Sequence, residues 1–280
     1  MIADRRAVLA GAAALALPTS ARADIPLSLD GRLVQGGHVI GRTAPGALVY
    51  VDGEALATAS ADGWFFIGFD RDGPLQTEIV VRRGREQARQ TLTLMRGRFP
   101  STRVDGLPPA TVTPSDPALL ARIEREVALK TEAFASRVEG DDFRTGFRWP
   151  LAAVRVTSAW GAQRVLNGTP ARPHYGIDLG AAAGTPILAP AGGKVVLAQP
   201  GLHFEGGLTL IDHGQGVISA YLHQSRIEVA VGRSVRAGEV LGLVGSTGRA
   251  TGPHLCWRLK WRDRNLDPSL LVRTSESSIA

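Results

Sequence analysis

Between residues 24 and 98 the apolar positions fall in short runs separated by turn residues. Ala47-Leu48-Val49-Tyr50-Val51 is followed by Asp52-Gly53, then by Trp64-Phe65-Phe66-Ile67-Gly68-Phe69 and Glu78-Ile79-Val80-Val81. Runs of this length and spacing predict a small antiparallel sandwich of immunoglobulin-like type. Residues 99–117 are rich in Pro, Ser and Thr, as expected of a linker. The period then changes. Asp116 as N-cap and Pro117 as first helical residue open an amphipathic helix over 118–137, with Leu119, Ile123, Val127 and Phe134 on or near one face. From 148 to 273 the pattern is again that of strands, dense in glycine, with runs such as Leu208-Thr209-Leu210-Ile211 and Val217-Ile218-Ser219-Ala220-Tyr221. The absence of a βαβ rhythm excludes a doubly wound fold. The expected architecture is therefore mainly β: a sandwich over 24–98, a linker with one helix over 99–147, a Gly-rich antiparallel β domain over 148–273, and a polar tail over 274–280.

Residues 1–23 read as an export signal and not as structure. Arg5-Arg6 precedes an apolar run over 7–17, and Ala21-Arg22-Ala23 has the small-x-small form of a cleavage site. The run is about half the ~20 residues that span a bilayer, so no permanent membrane anchor is expected. Asp4-Arg5-Arg6-Ala7-Val8-Leu9 also resembles a twin-arginine signal. The expected location is periplasmic or otherwise exported, after cleavage near Ala23. The single cysteine, Cys256, makes an intramolecular disulfide impossible. Of the net charge of +6, residues 24–145 contribute 15 basic against 17 acidic side chains, whereas 146–280 contribute 14 against 8. The basic excess of the mature protein thus lies in its C-terminal half, as suits a surface facing an anionic polymer. No basic cluster is interleaved with aromatic residues, which argues against nucleic acid.

Candidate chemistry lies in the C-terminal half. His254 and Cys256 are two apart in a strand-like run and should share one face. Pro173-His174-Tyr175-Gly176-Ile177-Asp178 holds an imidazole and a carboxylate in a loop that enters a short strand. His223 ends an otherwise apolar strand. Together these residues offer three metal ligands and two further imidazoles, which is what activation of water by a metal ion requires. His38 lacks ligand-type neighbours and reads as structural, as do His213, a turn residue in Asp212-His213-Gly214, and His203, a loop residue; Asp141-Asp142 reads as a solvated loop.

Over roughly 150–268 the chain resembles the LytM/lysostaphin-type zinc metallopeptidases, which cut peptide bonds in peptidoglycan. The resemblance rests on ordered motifs: Ser158-Ala159-Trp160-Gly161-Ala162-Gln163-Arg164, His174-Tyr175-Gly176-Ile177-Asp178, Asp212-His213-Gly214, Tyr221-Leu222-His223, and Gly245-Ser246-Thr247-Gly248 leading to Gly252-Pro253-His254-Leu255. It implies Zn2+ bound by His174, Asp178 and the residue at 256, with His223 and His254 as acid/base imidazoles and peptidoglycan as substrate. Tyr175 is a candidate hydrogen-bond donor to that substrate. The departure is Cys256, where the family has histidine. Thiolate remains a good zinc ligand, but it lowers the charge of the metal core from +1 to near zero and so weakens polarisation of a bound water.

Two functional readings follow from the resemblance: an exported zinc metalloendopeptidase, or a catalytically silent module that binds peptidoglycan or activates other cell-wall hydrolases. A cysteine peptidase with Cys256 as nucleophile is a third reading, disfavoured because such thiols gain thiolate character at helix N-termini and not inside strands. Val229 to Gly242 has the glycine rhythm of a biotinyl or lipoyl carrier, but Lys130, Lys194 and Lys260 are the only lysines and none sits at the required hairpin tip.

Overall fold

In a computed structural model the described residues are 24–106 and 114–273. The export signal and the polar tail lie outside them. Seven strands build the N-terminal part as two antiparallel sheets, one ordered Ser28–Arg32, His38–Arg42, Trp64–Gly68 and the other Glu54–Thr58, Leu48–Val51, Gln76–Arg83, Glu86–Thr93. Asp52 and Gly53 take positive φ, 52° and 86°, as a two-residue hairpin turn demands. The run Phe65-Phe66-Ile67 is apolar on both faces for a reason the alternation alone does not give. Phe66 leaves the sheet toward the C-terminal half, where its ring meets Phe143 at 5.5 Å and Trp261 at 6.2 Å. Phe65 and Ile67 occupy the opposite face, so this strand is buried on both sides.

One hydrophobic core accordingly runs through both halves of the chain. Polar contacts seal the junction: Arg71 Nε donates to Gly161 O at 2.7 Å, Arg264 to Gly68 O at 2.9 Å, and Gln215 Nε2 to Trp64 O at 2.9 Å. Leu266 lies against Gly68, where a Cβ would come within 2.7 Å of its methyl groups. His38 stacks on Phe66 and is held down to about 4 by burial, then by Arg32. It is a core residue, as expected.

The C-terminal half is built on an eight-stranded antiparallel sheet in which Gly206–Asp212, Val217–Gln224, His254–Trp261 and Ile177–Gly180 are successive neighbours. A second sheet pairs Pro186–Leu188, Val240–Leu243 and Arg226–Ile227. His213 is fully buried: its Nδ1 donates to Gly192 O, and a chain of short hydrogen bonds links Nε2, Ser219 Oγ and the Tyr221 hydroxyl.

The linker differs from expectation in two places. Ser101–Val104 is a strand that pairs in parallel with Gln163–Leu166, which adds a parallel ladder beside the antiparallel sheets. The helix begins where expected, with Asp116 Oδ1 accepting from the backbone N–H of Ala118 and Leu119, but spans Pro117–Phe134 and stops three residues before Arg137. Val127 is 49% exposed and does not belong to the packed face. Polar anchors fix the face instead. Glu126 accepts from His203 N at 2.8 Å, Lys130 pairs with Glu205 at 2.5 Å, and Lys260 Nζ sits 5.0 Å from the Phe134 ring centroid. Asp141 is half-buried and accepts from Ser60 at 3.1 Å, so it is less solvated than its sequence suggests. Among the described residues no helix is long and apolar enough to cross a membrane.

A core shared in this way should unfold as one unit. Phe66→Ala removes a fully buried ring at the junction and should cost about 3–5 kcal/mol, with a single denaturant transition for wild type and variant alike. Two separated transitions would show that the halves are independently stable.

Candidate metal centre

The pairing register assembles the site. Asp178 lies opposite Cys256, Gly180 opposite His254, and Leu222, next to His223, opposite Cys256 on the other side. Because successive side chains alternate, His254, Cys256 and Arg258 share one face of their strand, and Gly176, Asp178 and Gly180 share the matching face of its neighbour. His174, just before that strand, is held by Gly161 N to His174 O and His174 N to Ala162 O, both 2.8 Å. Gly176 is a spatial necessity: a Cβ there would lie 2.7 Å from Cys256 Sγ and 3.0 Å from Arg258 Cγ.

His174 Nε2 is 3.2 Å from Asp178 Oδ1 and 3.3 Å from Cys256 Sγ, and the three ligand atoms lie within 4.8 Å of one another. Tetrahedral zinc with N, O and S ligands separates them by about 3.4–3.6 Å. Asp178 Oδ1 is buried and makes no well-formed hydrogen bond, as befits an oxygen reserved for a cation. The donor set and the spacing therefore fit a zinc ion. Ser158 Oγ is 3.3 Å from His174 Nδ1, which leaves Nε2 to face the cluster. Arg164 reaches Asp178 Oδ2 at 3.5 Å.

Burial sets the protonation states. It holds His174 below the ordinary imidazole value, against the pull of Asp178. It tends to raise Asp178, but His174, His254 and Cys256 outweigh it and the carboxyl ends below its usual range. Both ligands are thus in their metal-binding form at neutral pH. Cys256 is not: burial pushes its thiol up to about 12 despite the opposing Arg258 guanidinium, which is within hydrogen-bonding reach of the sulfur. A thiol so placed is a poor nucleophile, which argues against the cysteine-peptidase reading.

The two remaining imidazoles flank the cluster. His223 Nδ1 meets Thr247 O at 2.8 Å and His254 Nδ1 meets Gly252 O at 2.8 Å, so each Nδ1 donates to a carbonyl that fixes its ring. Their ring centroids are 4.7 Å apart, and His254 Nε2 is 3.8 Å from Asp178 Oδ1. His223 has φ of 65°, an uncommon left-handed backbone for a histidine. Burial lowers it to about 4, so it is neutral at neutral pH. Backbone strain at a buried, unprotonated imidazole marks a functional position. Tyr175 does not join the site. Alternation sends it to the face opposite His174 and Gly176, toward Asp70, and it does not line the groove. Sequence reasoning assigned no role to Ser158, Arg164 or Arg258, although the i, i+2, i+4 spacing of His254, Cys256 and Arg258 carried the signal for the last.

Residues 172–268 match the family described as Peptidase family M23. A solved Pseudomonas aeruginosa structure described as a peptidase M23 superposes on 86% of this chain and 95% of its own, at 29% identity and a TM-score of 0.67. Residues 172–268 carry a peptidase family M23 domain. The coverage of that structure takes in the N-terminal sheets as well as the M23 domain. Among named relatives, the DD-carboxypeptidase/endopeptidase Mpg of Neisseria meningitidis is 38% identical over 45% of this chain and 29% of its own length. The peptidoglycan DD-endopeptidase ShyA of Vibrio cholerae is 36% identical over 45% of this chain and 30% of its own. The chain thus spans about three-tenths of the length of these relatives.

Because the thiol is protonated in the metal-free protein while His174 and Asp178 are not, zinc binding should release one proton, from Cys256. Apparent zinc affinity should therefore rise about tenfold per pH unit between pH 6 and 8, measured by chelator competition, and Cys256→His should flatten that slope. A flat slope in the wild type would mean that the thiol is not a ligand.

Proposed function

We propose that this chain is an exported zinc metalloendopeptidase that hydrolyses peptide cross-links of peptidoglycan. The observation that carries this reading is the convergence, inside an M23 domain, of His174, Asp178 and Cys256 at zinc-ligand spacing with the imidazole rings of His254 and His223 beside them. The names of the relatives support the substrate class. His174, Asp178 and Cys256 would hold the zinc, which when bound polarises a carbonyl and acidifies water.

The protein's own groups handle the proton. His223, neutral and fixed through Nδ1 on Thr247 O, presents Nε2 to take a proton from water as its oxygen adds to the scissile carbonyl carbon. His254, fixed through Nδ1 on Gly252 O, places its ring beside the same point and orients the reacting oxygen. The proton held at Nε2 then passes to the amine nitrogen as the C–N bond breaks, so the water is consumed as hydroxyl on the new carboxyl and hydrogen on the new amine. The groove is open enough for an extended peptide, with a volume of about 550 Å³.

The departure at Cys256 is what favours the silent-module reading, and one experiment separates the two. Purified wild type should release soluble peptides from cross-linked sacculi, lose that activity with a chelator and regain it with zinc. His223→Ala should lower kcat by about 10²–10⁴-fold with zinc content unchanged. No release by the wild type at any zinc concentration, together with release by Cys256→His, would assign the chain to the silent modules.

A further inference from the structure

The groove around the metal centre carries more positive charge than the catalytic residues need. Four arginines line it, Arg155, Arg164, Arg249 and Arg258, against two carboxylates, Asp178 and Glu205. Both carboxylates are engaged, Asp178 among His174, Cys256 and Arg164, and Glu205 with Lys130. Arg249 lies over the Phe204 ring at 4.7 Å. Burial first, then the neighbouring Arg164 and Arg258, lower its affinity for a proton, while Glu205 opposes them.

Arg155 stands apart from the catalytic set. Its side chain makes no ion pair or hydrogen bond among the described residues, while its backbone carbonyl accepts from Gly180 N at 2.9 Å. A terminal guanidinium nitrogen sits over Gly180, where a Cβ would come within 2.4 Å of it. Gly180 is two residues beyond Asp178 on the same face and opposite His254, about 7 Å along the strand, and the exposed Arg155 side chain reaches over it. That is about two residues of an extended peptide.

We propose that Arg155 is a specificity residue, whose guanidinium binds a free carboxylate on the peptide substrate about two residues from the scissile bond. The inference rests on the peptidase reading and names the substrate more closely: an anionic, carboxylate-bearing peptide. A planar fork suits this task because it pairs with carboxylate through two parallel N–H bonds, which lysine does not reproduce. Gly180 supplies the space in which the fork lies.

The test compares a cross-linked peptidoglycan peptide dimer having free carboxyl groups with the same dimer after amidation. Binding is measured at low salt with a chelator present, so that no turnover is needed, and cleavage is measured separately with zinc. The free-acid dimer should bind the wild type about tenfold more tightly than the amide. Arg155→Gln should erase that difference by weakening only the acid, and Arg155→Lys should keep part of it. Equal affinity of the wild type for acid and amide, or equal weakening of both by Arg155→Gln, overturns the proposal. Carboxylate-dependent binding without cleavage upholds the subsite and overturns the peptidase reading. Cleavage of both dimers with equal kcat/KM does the reverse.

Discussion

The site depends on the register between two antiparallel strands, Ile177–Gly180 and His254–Trp261. With Asp178 opposite Cys256, the carboxylate and the sulfur meet on one face of the sheet. A slip of one residue would turn both to opposite faces and dissolve the cluster. The register is secured by what lies on the other face: Leu179, Leu255 and Trp257 are fully buried, and Trp257 packs with Phe147 and Trp149. Core packing and metal-site geometry are two sides of one constraint. The N-terminal sheets enter it through Phe66 and Trp261, the latter on the same strand as His254 and Cys256.

Cys256 is accommodated by this scaffold together with two neighbours. Gly176 leaves room for the sulfur, and Arg258, two residues along the same face, brings a positive charge to it. The guanidinium is placed where a thiolate would otherwise leave the metal core near zero charge. A relic of a lost site would not be expected to keep the buried Asp178 carboxylate beside His174, the Ser158 contact to His174 and the strained His223 together.

Much of this was legible in the sequence. The alternation around 254–261 placed His254 and Cys256 on one face, the Asp116-Pro117 pair fixed the helix start, and the lack of ligand-type neighbours marked His38 as structural, whereas His213, which reads as a turn residue, is fully buried. The misses have physical reasons. Val127 has the apolar character of a packed position, but Glu126 and Lys130 find partners in the facing hairpin and turn the helix to suit them. Residues 101–104 look like linker because their strand is stabilised only by a distant partner, 163–166, with which a parallel ladder forms. Tyr175 stands between two site residues in sequence and therefore, by alternation, on the wrong face in space. The charges of Arg155, Arg164 and Arg258 counted in the basic excess of the C-terminal half, but only the folded sheet shows them converging on one groove.

The central claim is that Cys256 is a zinc ligand beside His174 and Asp178. Zinc K-edge X-ray absorption on the zinc-loaded protein tests it most directly. The account predicts one sulfur at about 2.3 Å together with nitrogen and oxygen neighbours at about 2.0–2.2 Å, and loss of the sulfur shell in Cys256→His. A zinc ion surrounded by nitrogen and oxygen alone in the wild type would contradict it.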